Sequence, residues 1–200
     1  MTDGGRTGHR PTAGGNAPRR PGGSRQPGDP DRGALIARML RVDHAGEYGA
    51  RRIYEGQIAV LGRGPGTAAI RHMYRQELAH LKRFEALLVE RRVRPSALYP
   101  LWHVAGFALG ATTALLGKHA AMACTVAVEE VINDHYAAQA AKLDTDEADL
   151  KATIETFRQE ECEHRDTALD QGAEQAPGYA PMSAAIKAGA RLAIWLAERI

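Results

Sequence analysis

The sequence predicts an all-α protein built around a four-helix bundle, with an additional apolar segment between the second and third helices and a further helix at the C-terminus. Three observations support this fold class. From Ala34 onward, apolar residues recur at helical spacing, and Gly and Pro clusters divide that pattern into long segments. No stretch alternates polar and apolar residues with the period of a strand. At 200 residues, the chain fits one folded domain.

The first 33 residues differ in composition from the rest of the chain. They contain nine Gly, five Pro and six Arg, and no Leu, Ile, Val or Phe. Such a segment cannot bury enough apolar surface to offset the entropy lost on ordering. We therefore predict a disordered tail over residues 1–33 and a folded domain over residues 34–200. A mitochondrial presequence is the alternative, but Asp3, Asp29 and Asp31 and the lack of an apolar face argue against it.

The predicted elements follow the breaks in the helical pattern, where Gly, Pro and Asp residues favour turns and helix starts. The predicted elements are a first helix at 34–61, a second at 67–92, an uncharged apolar segment at 97–117, a third helix at 118–143, a fourth at 147–170 and a last helix from 182 to the C-terminus.

The charge balance and the cysteines exclude two classes of function. Lys and Arg number 26 against 24 Asp and Glu, and the excess lies in the tail, where six Arg face three Asp. The body is nearly neutral, so nothing indicates a nucleic-acid partner. Cys124 and Cys162 form no C-x-x-C motif, which leaves a disulfide scaffold or a cysteine zinc site unsupported. We expect both cysteines to be packing residues.

Four glutamates lie in the middle of the apolar faces of the four predicted bundle helices. Successive helical residues are about 100° apart, and by this angle each of these glutamates shares a face with aliphatic and aromatic residues. The four are Glu47, Glu77, Glu129 and Glu161. An ionised carboxylate is costly to bury without a partner, and four that converge also repel one another. Cations are therefore needed to balance the charge of these four buried carboxylates.

Glu77 and Glu161 each begin an E-x-x-H motif, completed by His80 and His164, and this spacing puts both side chains on one helical face. The other two glutamates precede these motifs by 30 and 32 positions. A single E-x-x-H motif is common by chance. One such element on each of four helices, however, matches the di-metal carboxylate site of helix bundles. Oxygen and nitrogen ligands without thiolate suit iron or manganese, and dioxygen chemistry favours iron.

The same helical angles assign other roles to neighbouring acids. Glu130 and Glu160 lie about 100° from the inner faces of their helices, and Glu163 points nearly opposite, so we expect exposed or helix-contact roles for them. Asp43 lies one turn before Glu47 on the inner side. It either orients a ligand histidine or forms an intrahelical or surface pair, and the sequence leaves both alternatives open.

Several longer stretches of the sequence are distinctive. They are RVDHAGEYGA at 41–50, the E-x-x-H pair at 77–80, the region from RVRP at 92–95 through GFALG at 106–110 to TVAVEE at 125–130, and ECEH at 161–164. Together they closely resemble the demethoxyubiquinone hydroxylase family of ubiquinone biosynthesis, and the resemblance extends from Ala34 to Ile200.

The resemblance implies a ferritin-like fold and a monooxygenase that inserts one oxygen atom of O2 into the ring of a polyprenylated demethoxyubiquinol. It implies NADH as the ultimate reductant, although Gly62–Gly66 does not fit a dinucleotide-binding motif. His135 and Tyr136 match a family His-Tyr pair near the site and are the candidate catalytic residues. The ligands of two iron ions fall on Glu47, Glu77, His80, Glu129, Glu161 and His164. Of these, we expect Glu77 and Glu161 to bridge the ions.

The apolar segment 97–117 is close to the length of a membrane span. A span would put Glu77 and Glu129 on opposite sides of the membrane, so we expect an interfacial or substrate-gating element instead. The last helix has a broad apolar face, which fits a membrane surface, the bundle itself or a second subunit.

We expect a peripheral protein on the cytoplasmic face of a bacterial inner membrane, or alternatively on the matrix side of the mitochondrial inner membrane. A homo-oligomer and a lipid-presenting partner protein both remain open.

Two other functions are compatible with the same residues. A ferritin-like iron oxidase or storage protein would use a similar bundle without an organic substrate, and it would need a closed cage but no apolar segment. A non-enzymatic lipid-binding or scaffold protein would function equally well without Glu77 and His164.

Overall fold

The computed structural model describes residues 31–64 and 67–200, which form helices and no strand. The helices are α1 (Arg32–Leu61), α2 (Thr67–Glu90), α3 (Tyr99–Leu115), α4 (Lys118–Ala140), α5 (Ala148–Asp170) and α6 (Tyr179–Ala197), with short 3-10 turns at Thr145–Glu147 and Ala173–Gln175. The predicted all-α class is confirmed. The predicted tail lies outside the described residues except for its last three positions.

Four helix boundaries agree with the predicted ones, and the others differ by one to three residues. α1 begins at Arg32, inside the segment assigned to the tail. α2 ends at Glu90 because Arg92 has a φ of 54°, which a right-handed helix does not contain. α6 begins at Tyr179, directly after Gly178, whose φ of 68° favours glycine. The long elements were therefore predictable, and their ends depend on local backbone geometry.

The bundle consists of two helical pairs, α1 with α2 and α4 with α5. Apolar side chains fill both ends of its interior. One cluster includes Leu40, Phe84 and Ile154, and the other includes Ile70 and Met122. The four central glutamates lie along their helices between residues of these two clusters. The polar centre is thus enclosed by apolar packing at each end.

The uncharged apolar segment forms α3, which packs closely against α1. Glycines permit this close approach. A Cβ on Gly106 would lie 2.8 Å from the carbonyl oxygen of Gly49, and a Cβ on Gly110 would overlap the backbone of Ile53. Across residues 31–64 and 67–200, no helix is long and apolar enough to cross a membrane.

The last helix, α6, packs against α4 and buries Ile186 and Ala197. Lys187 of α6 forms an ion pair with Glu130 of α4, so Glu130 has the helix-contact role expected of it. Trp195 lies on the exposed part of α6. One side of this helix therefore belongs to the protein interior, and another remains open to solvent.

Candidate metal centre

All six predicted metal ligands come together inside the bundle, and each is at most 1% exposed. Their nitrogen and oxygen atoms form two groups, within each of which the ligand atoms lie within 4.8 Å of one another. The first group is Glu47, Glu77, His80 and Glu161. The second group is Glu77, Glu129, Glu161 and His164.

Glu77 and Glu161 belong to both groups, whereas Glu47 and Glu129 belong to one group each. Two adjacent ions would therefore share the carboxylates of the two E-x-x-H motifs. This is the arrangement expected of the bridging role that the sequence predicts for Glu77 and Glu161.

Both histidines present Nδ1 to the carboxylates. Nδ1 of His80 lies 3.2 Å from Glu47 Oε2 and 3.2 Å from Glu161 Oε1. Nδ1 of His164 lies 3.0 Å from Glu161 Oε2 and 3.3 Å from Glu77 Oε1. A neutral imidazole binds a metal through its unprotonated nitrogen. Nδ1 is therefore the candidate ligand atom in both residues, and with a metal bound there Nε2 would carry the hydrogen.

The Nε2 atoms, on the other side of each ring, have partners of their own. Nε2 of His80 contacts Glu160 Oε2, and Nε2 of His164 lies 3.1 Å from Gln76 Oε1. Glu160 was expected in an exposed or helix-contact role, and the contact it makes is with a candidate ligand. Gln76 was not singled out in the sequence. Gln76 directly precedes one E-x-x-H motif, as Glu160 directly precedes the other. This equivalent position was the available sequence signal for Gln76.

Two buried tyrosines donate hydrogen bonds to the glutamates that belong to one group each. Tyr54 donates to Glu129 Oε1 at 2.7 Å, and Tyr136 donates to Glu47 Oε1. Burial raises the pKa of both phenols well above its usual value, and the nearby carboxylates raise it further. Both phenols therefore keep their protons and remain donors.

Tyr54 was not among the predicted site residues. Each of the two tyrosines stands seven positions after the lone glutamate of its own helix and contacts the lone glutamate of the other helix. This repeated E-x6-Y spacing was the available sequence signal for Tyr54.

Several ligand atoms at the centre form no hydrogen bond of acceptable geometry, even where they approach one another closely, as Nδ1 of His80 approaches Glu47 Oε2 and Glu161 Oε1 at 3.2 Å. Within the described residues, the buried unpartnered atoms include both carboxylate oxygens of Glu77, Oε2 of Glu47, Oε2 of Glu129, Oε1 of Glu161 and Nδ1 of His80. Leaving such an atom buried and unpaired costs about 1–3 kcal/mol. Two divalent cations would satisfy these atoms, because their four positive charges match four carboxylates and the imidazoles remain neutral. The residues present thus fit a pair of divalent ions.

The ionisation of the carboxylates supports the same fit. Burial raises the pKa of Glu77 and Glu129 well above its usual value, and the charge of Glu161 raises it further. Burial lowers the pKa of His80, but its interactions with Glu161 and Glu47 outweigh burial and raise the pKa to about 12. The centre therefore requires positive charge, and protons compete with metal ions for it.

Asp43 and His135 form a pair beside the centre. Nε2 of His135 lies 3.2 Å from Asp43 Oδ1, and Gln139 donates to the same oxygen at 2.7 Å. Asp43 is buried, so it forms no surface pair, and its partner His135 is not one of the predicted metal ligands. Of the two candidate catalytic residues, Tyr136 contacts a carboxylate of the centre, whereas His135 contacts Asp43.

An open apolar cleft with a volume of about 510 Å³ lies against another face of α1. α1, α3, α4 and α6 line it, and none of the lining side chains is charged. Gly46 and Ala50 of α1 face the cleft, while Glu47 between them belongs to the centre. The cleft and the metal centre are therefore neighbours across one helix. The cleft volume is that of a typical small-molecule site.

The chain is similar to a family of known proteins along most of its length. The family described as ubiquinone biosynthesis protein COQ7 matches residues 34–197. A 3-demethoxyubiquinol 3-hydroxylase of Rhodospirillum rubrum is 60% identical over 177 residues, which cover 88% of this chain and 84% of the relative. A mitochondrial NADPH-dependent 3-demethoxyubiquinone 3-hydroxylase of Homo sapiens is 55% identical, covering 84% and 79%. A mitochondrial 5-demethoxyubiquinone hydroxylase of Saccharomyces cerevisiae is 44% identical, covering 84% and 79%.

Proposed function

The chain belongs to the COQ7 family of ubiquinone biosynthesis proteins, and from this membership we propose that it is a di-iron monooxygenase that hydroxylates the ring of a polyprenylated demethoxyubiquinol. Its relatives are hydroxylases, so the chain is an oxidoreductase. One observation carries the di-iron proposal. Two groups of buried carboxylates and imidazoles share Glu77 and Glu161, as a pair of adjacent ions requires.

In the proposed enzyme, each residue of the centre has a defined task. The four glutamates and two histidines hold the ions, and the hydrogen bonds from Tyr54 and Tyr136 fix the carboxylates of Glu129 and Glu47. Burial of the whole group keeps bulk water away. The iron ions supply the dioxygen chemistry, which protein side chains do not provide.

The reaction balances as a two-electron monooxygenation. A ring C–H bond is replaced by C–OH with one oxygen atom of O2, and the second oxygen atom leaves as water after taking up two electrons and two protons. A reduced nicotinamide is the proposed electron source. The family resemblance implies NADH, whereas several relatives are named NADPH-dependent, so both belong in the assay.

The apolar cleft is the proposed site for the isoprenoid part of the substrate. Its uncharged lining suits a hydrocarbon chain, since burying apolar surface contributes about 25 cal/mol per Å². Glu47 lies across α1 from this cleft, so a substrate held there would lie beside the helix that carries a candidate ligand. A storage protein would have no use for such a cleft.

A hydroxylation assay tests the proposal as a whole. The protein is loaded anaerobically with Fe(II), supplied with a demethoxyubiquinol and either NADH or NADPH, and exposed to 18O2. We expect a product heavier by the mass of one labelled oxygen atom, and none without O2. Iron oxidation without such a product would reject the hydroxylase and favour the ferritin-like iron oxidase.

We also propose that the chain binds peripherally to the membrane that holds its substrate, in a bacterium at the cytoplasmic face. Exposed apolar side chains lie on the two helices that border the cleft: Leu101, Val104 and Leu115 on α3, with Leu116 directly after it, and Leu192 and Trp195 on α6. Exposed apolar groups of this kind indicate a membrane or protein contact. A second subunit or a lipid-presenting protein is the alternative occupant.

Flotation with phospholipid vesicles tests this attachment. Leu115→Glu combined with Leu116→Glu should reduce the bound fraction, because both side chains are exposed and a charge is costly in a lipid interface. The matched control is Val89→Glu, an exposed apolar residue on α2. Equal loss of binding in both variants would contradict the assignment to this face.

A further inference from the structure

The two candidate ligand histidines differ in what holds their outer nitrogen. Glu160 of α5 contacts Nε2 of His80 on α2, whereas Gln76 of α2 lies 3.1 Å from Nε2 of His164 on α5. Each of these partners directly precedes the glutamate of one E-x-x-H motif and contacts the histidine of the other motif. The two halves of the centre are thus built alike, with a carboxylate at one position and a neutral amide at the equivalent position.

Both partners select the same form of the imidazole. A carboxylate only accepts hydrogen bonds, so Nε2–H of His80 donates to Glu160 and leaves Nδ1 free for a metal. His164 needs the same arrangement, and its Nε2–H donates to Gln76 Oε1. The difference between the halves is therefore one of charge and not of tautomer.

We propose that this difference makes the two metal positions unequal, with Glu160 making the position beside His80 the tighter one and Gln76 leaving the position beside His164 the weaker one. The inference rests on the proposed metal centre. Within that centre, the four glutamates already balance two divalent ions. Glu160 adds a fifth negative charge on the side of His80.

Two physical effects of Glu160 act in the same direction. A carboxylate that accepts from an imidazole N–H makes the opposite nitrogen a better electron donor to a metal. Hydrogen bonds to an ionised group are also roughly twice as strong as neutral ones, so His80 is held more firmly than His164. A neutral amide such as Gln76 supplies orientation without the added charge.

The surroundings of His80 preserve the effect of this charge. Phe157 stacks on the His80 ring with 4.0 Å between ring centroids, which covers one face of the ring. The Glu160 side chain is 34% exposed, so solvent screens its charge only in part. Glu160 is in this sense a positioning residue, because it acts on the ion through His80.

Anaerobic titration of the metal-free protein with Co(II) tests the proposal by calorimetry and by visible absorption of the bound ion. We expect two binding steps with different dissociation constants. Glu160→Gln should weaken the tighter step by about 10–100-fold and leave the weaker step nearly unchanged. Gln76→Glu should instead tighten the weaker step. The double variant Gln76→Glu/Glu160→Gln should again show two separate steps, since it moves the charge to the other side.

The matched control is Glu163→Gln, which removes the same charge from an exposed position of α5. It should leave both dissociation constants within about threefold, as expected of a surface charge. Glu160→Asp, which keeps the carboxylate, should retain more of the difference than Glu160→Gln. Thermal unfolding of each metal-free variant reports whether the fold is intact.

Two failures are distinguishable. Equal dissociation constants in the unmodified protein, or equal weakening of both steps by Glu160→Gln, would overturn the inequality but leave the metal centre in place. Failure of the unmodified protein to bind two Co(II) ions would refute the proposed centre itself.

Discussion

α1 borders two interiors of opposite character. Towards the other bundle helices it contributes Glu47 and Tyr54 to a buried centre crowded with ionisable groups. Towards α3 and α6 it contributes Gly46 and Ile53 to a cleft without charged side chains. α4 divides in the same way, with Glu129 on one side and apolar residues on the other.

The difference between the two regions lies in how they are specified. The centre depends on the identity of a few side chains, because each ligand atom has to meet a particular ion or donor. The cleft depends on the absence of polar groups and on small residues that leave room. Without metal or substrate, both regions carry a free-energy cost. The centre buries charged groups, and the cleft exposes apolar surface to water. Substrate and metal would relieve both.

The strongest test of this comparison removes a candidate ligand that belongs to both groups of the centre. Glu161→Ala should lower product formation by more than about 100-fold, because loss of an outer partner alone costs 10–100-fold. Quinone binding to the cleft, measured by quenching of tryptophan fluorescence, should persist, since Trp102 lines the cleft. Glu163→Ala on the same helix is the control for product formation. Retention of two iron ions by Glu161→Ala would contradict the assignment.

Metal removal combined with a pH change should separate the centre from the rest of the fold. The pKa of the Glu77 carboxyl and the pKa of the Glu129 carboxyl are both raised from 4.5, and the pKa of His80 is raised from 6.5 to about 12. Above pH 6.5 the folded metal-free chain therefore holds a proton on His80 that the unfolded chain releases, and its free energy of unfolding falls as pH rises from about 6.5 to 8. The raised pKa of Glu77 and that of Glu129 act in the same direction. The slope is about 1.4 kcal/mol per pH unit for each such proton.

Unfolding followed by circular dichroism, for chelator-treated and for iron-loaded protein at both pH values, measures how the free energy of unfolding changes with pH. Iron takes the place of the protons, so the loaded protein should lose less stability as pH rises. The same slope for both forms would show that the centre does not exchange protons for metal.

A smaller effect is expected where α1 meets α3 at the edge of the cleft. Gly106→Ala should lower the free energy of unfolding by about 1–3 kcal/mol, because its Cβ would lie 2.8 Å from the Gly49 carbonyl oxygen. Urea denaturation measures this change. An unchanged midpoint would mean that α3 shifts away from α1 without loss of stability.

The smallest expected effect has the opposite sign and concerns a second glycine of the cleft. A Cβ on Gly189 of α6 would meet no atom within 4 Å. Gly189→Ala should therefore stabilise the helix by about 0.5–1 kcal/mol, since alanine loses less conformational freedom on folding. The same urea experiment compares it with Gly106→Ala. Destabilisation by both variants would show that the cleft tolerates no added methyl group.

The two regions also differ in how far the sequence predicts them. The convergence of the six candidate ligands was predictable because a glutamate on an apolar helical face is costly to bury, and helical angle alone identifies that face. The contact between Glu160 and His80 was not predictable in this way. It depends on how far a long side chain extends from α5 towards α2, and the helical angle of a residue does not measure distance to another helix.

The cleft was not predictable from any one helix. The sequence indicated an apolar segment, now α3, but the cleft arises from the placement of α3 and α6 around α1 and α4. Gly106 and Gly110 of α3, four positions apart, were the available sign that α3 packs closely on a neighbour. Such spacing indicates close contact without naming the partner helix.

The crossed hydrogen bonds of the centre have a consequence for how the protein is made. Tyr54 on α1 donates a hydrogen bond to Glu129 on α4, and Tyr136 on α4 donates one to Glu47 on α1. The first helical pair leaves the ribosome with only three of the six ligands, Glu47, Glu77 and His80. A pair of metal ions bound as proposed would therefore have no complete binding site until translation has passed His164, and water hydrates the carboxylates of the first half until the second half packs over them.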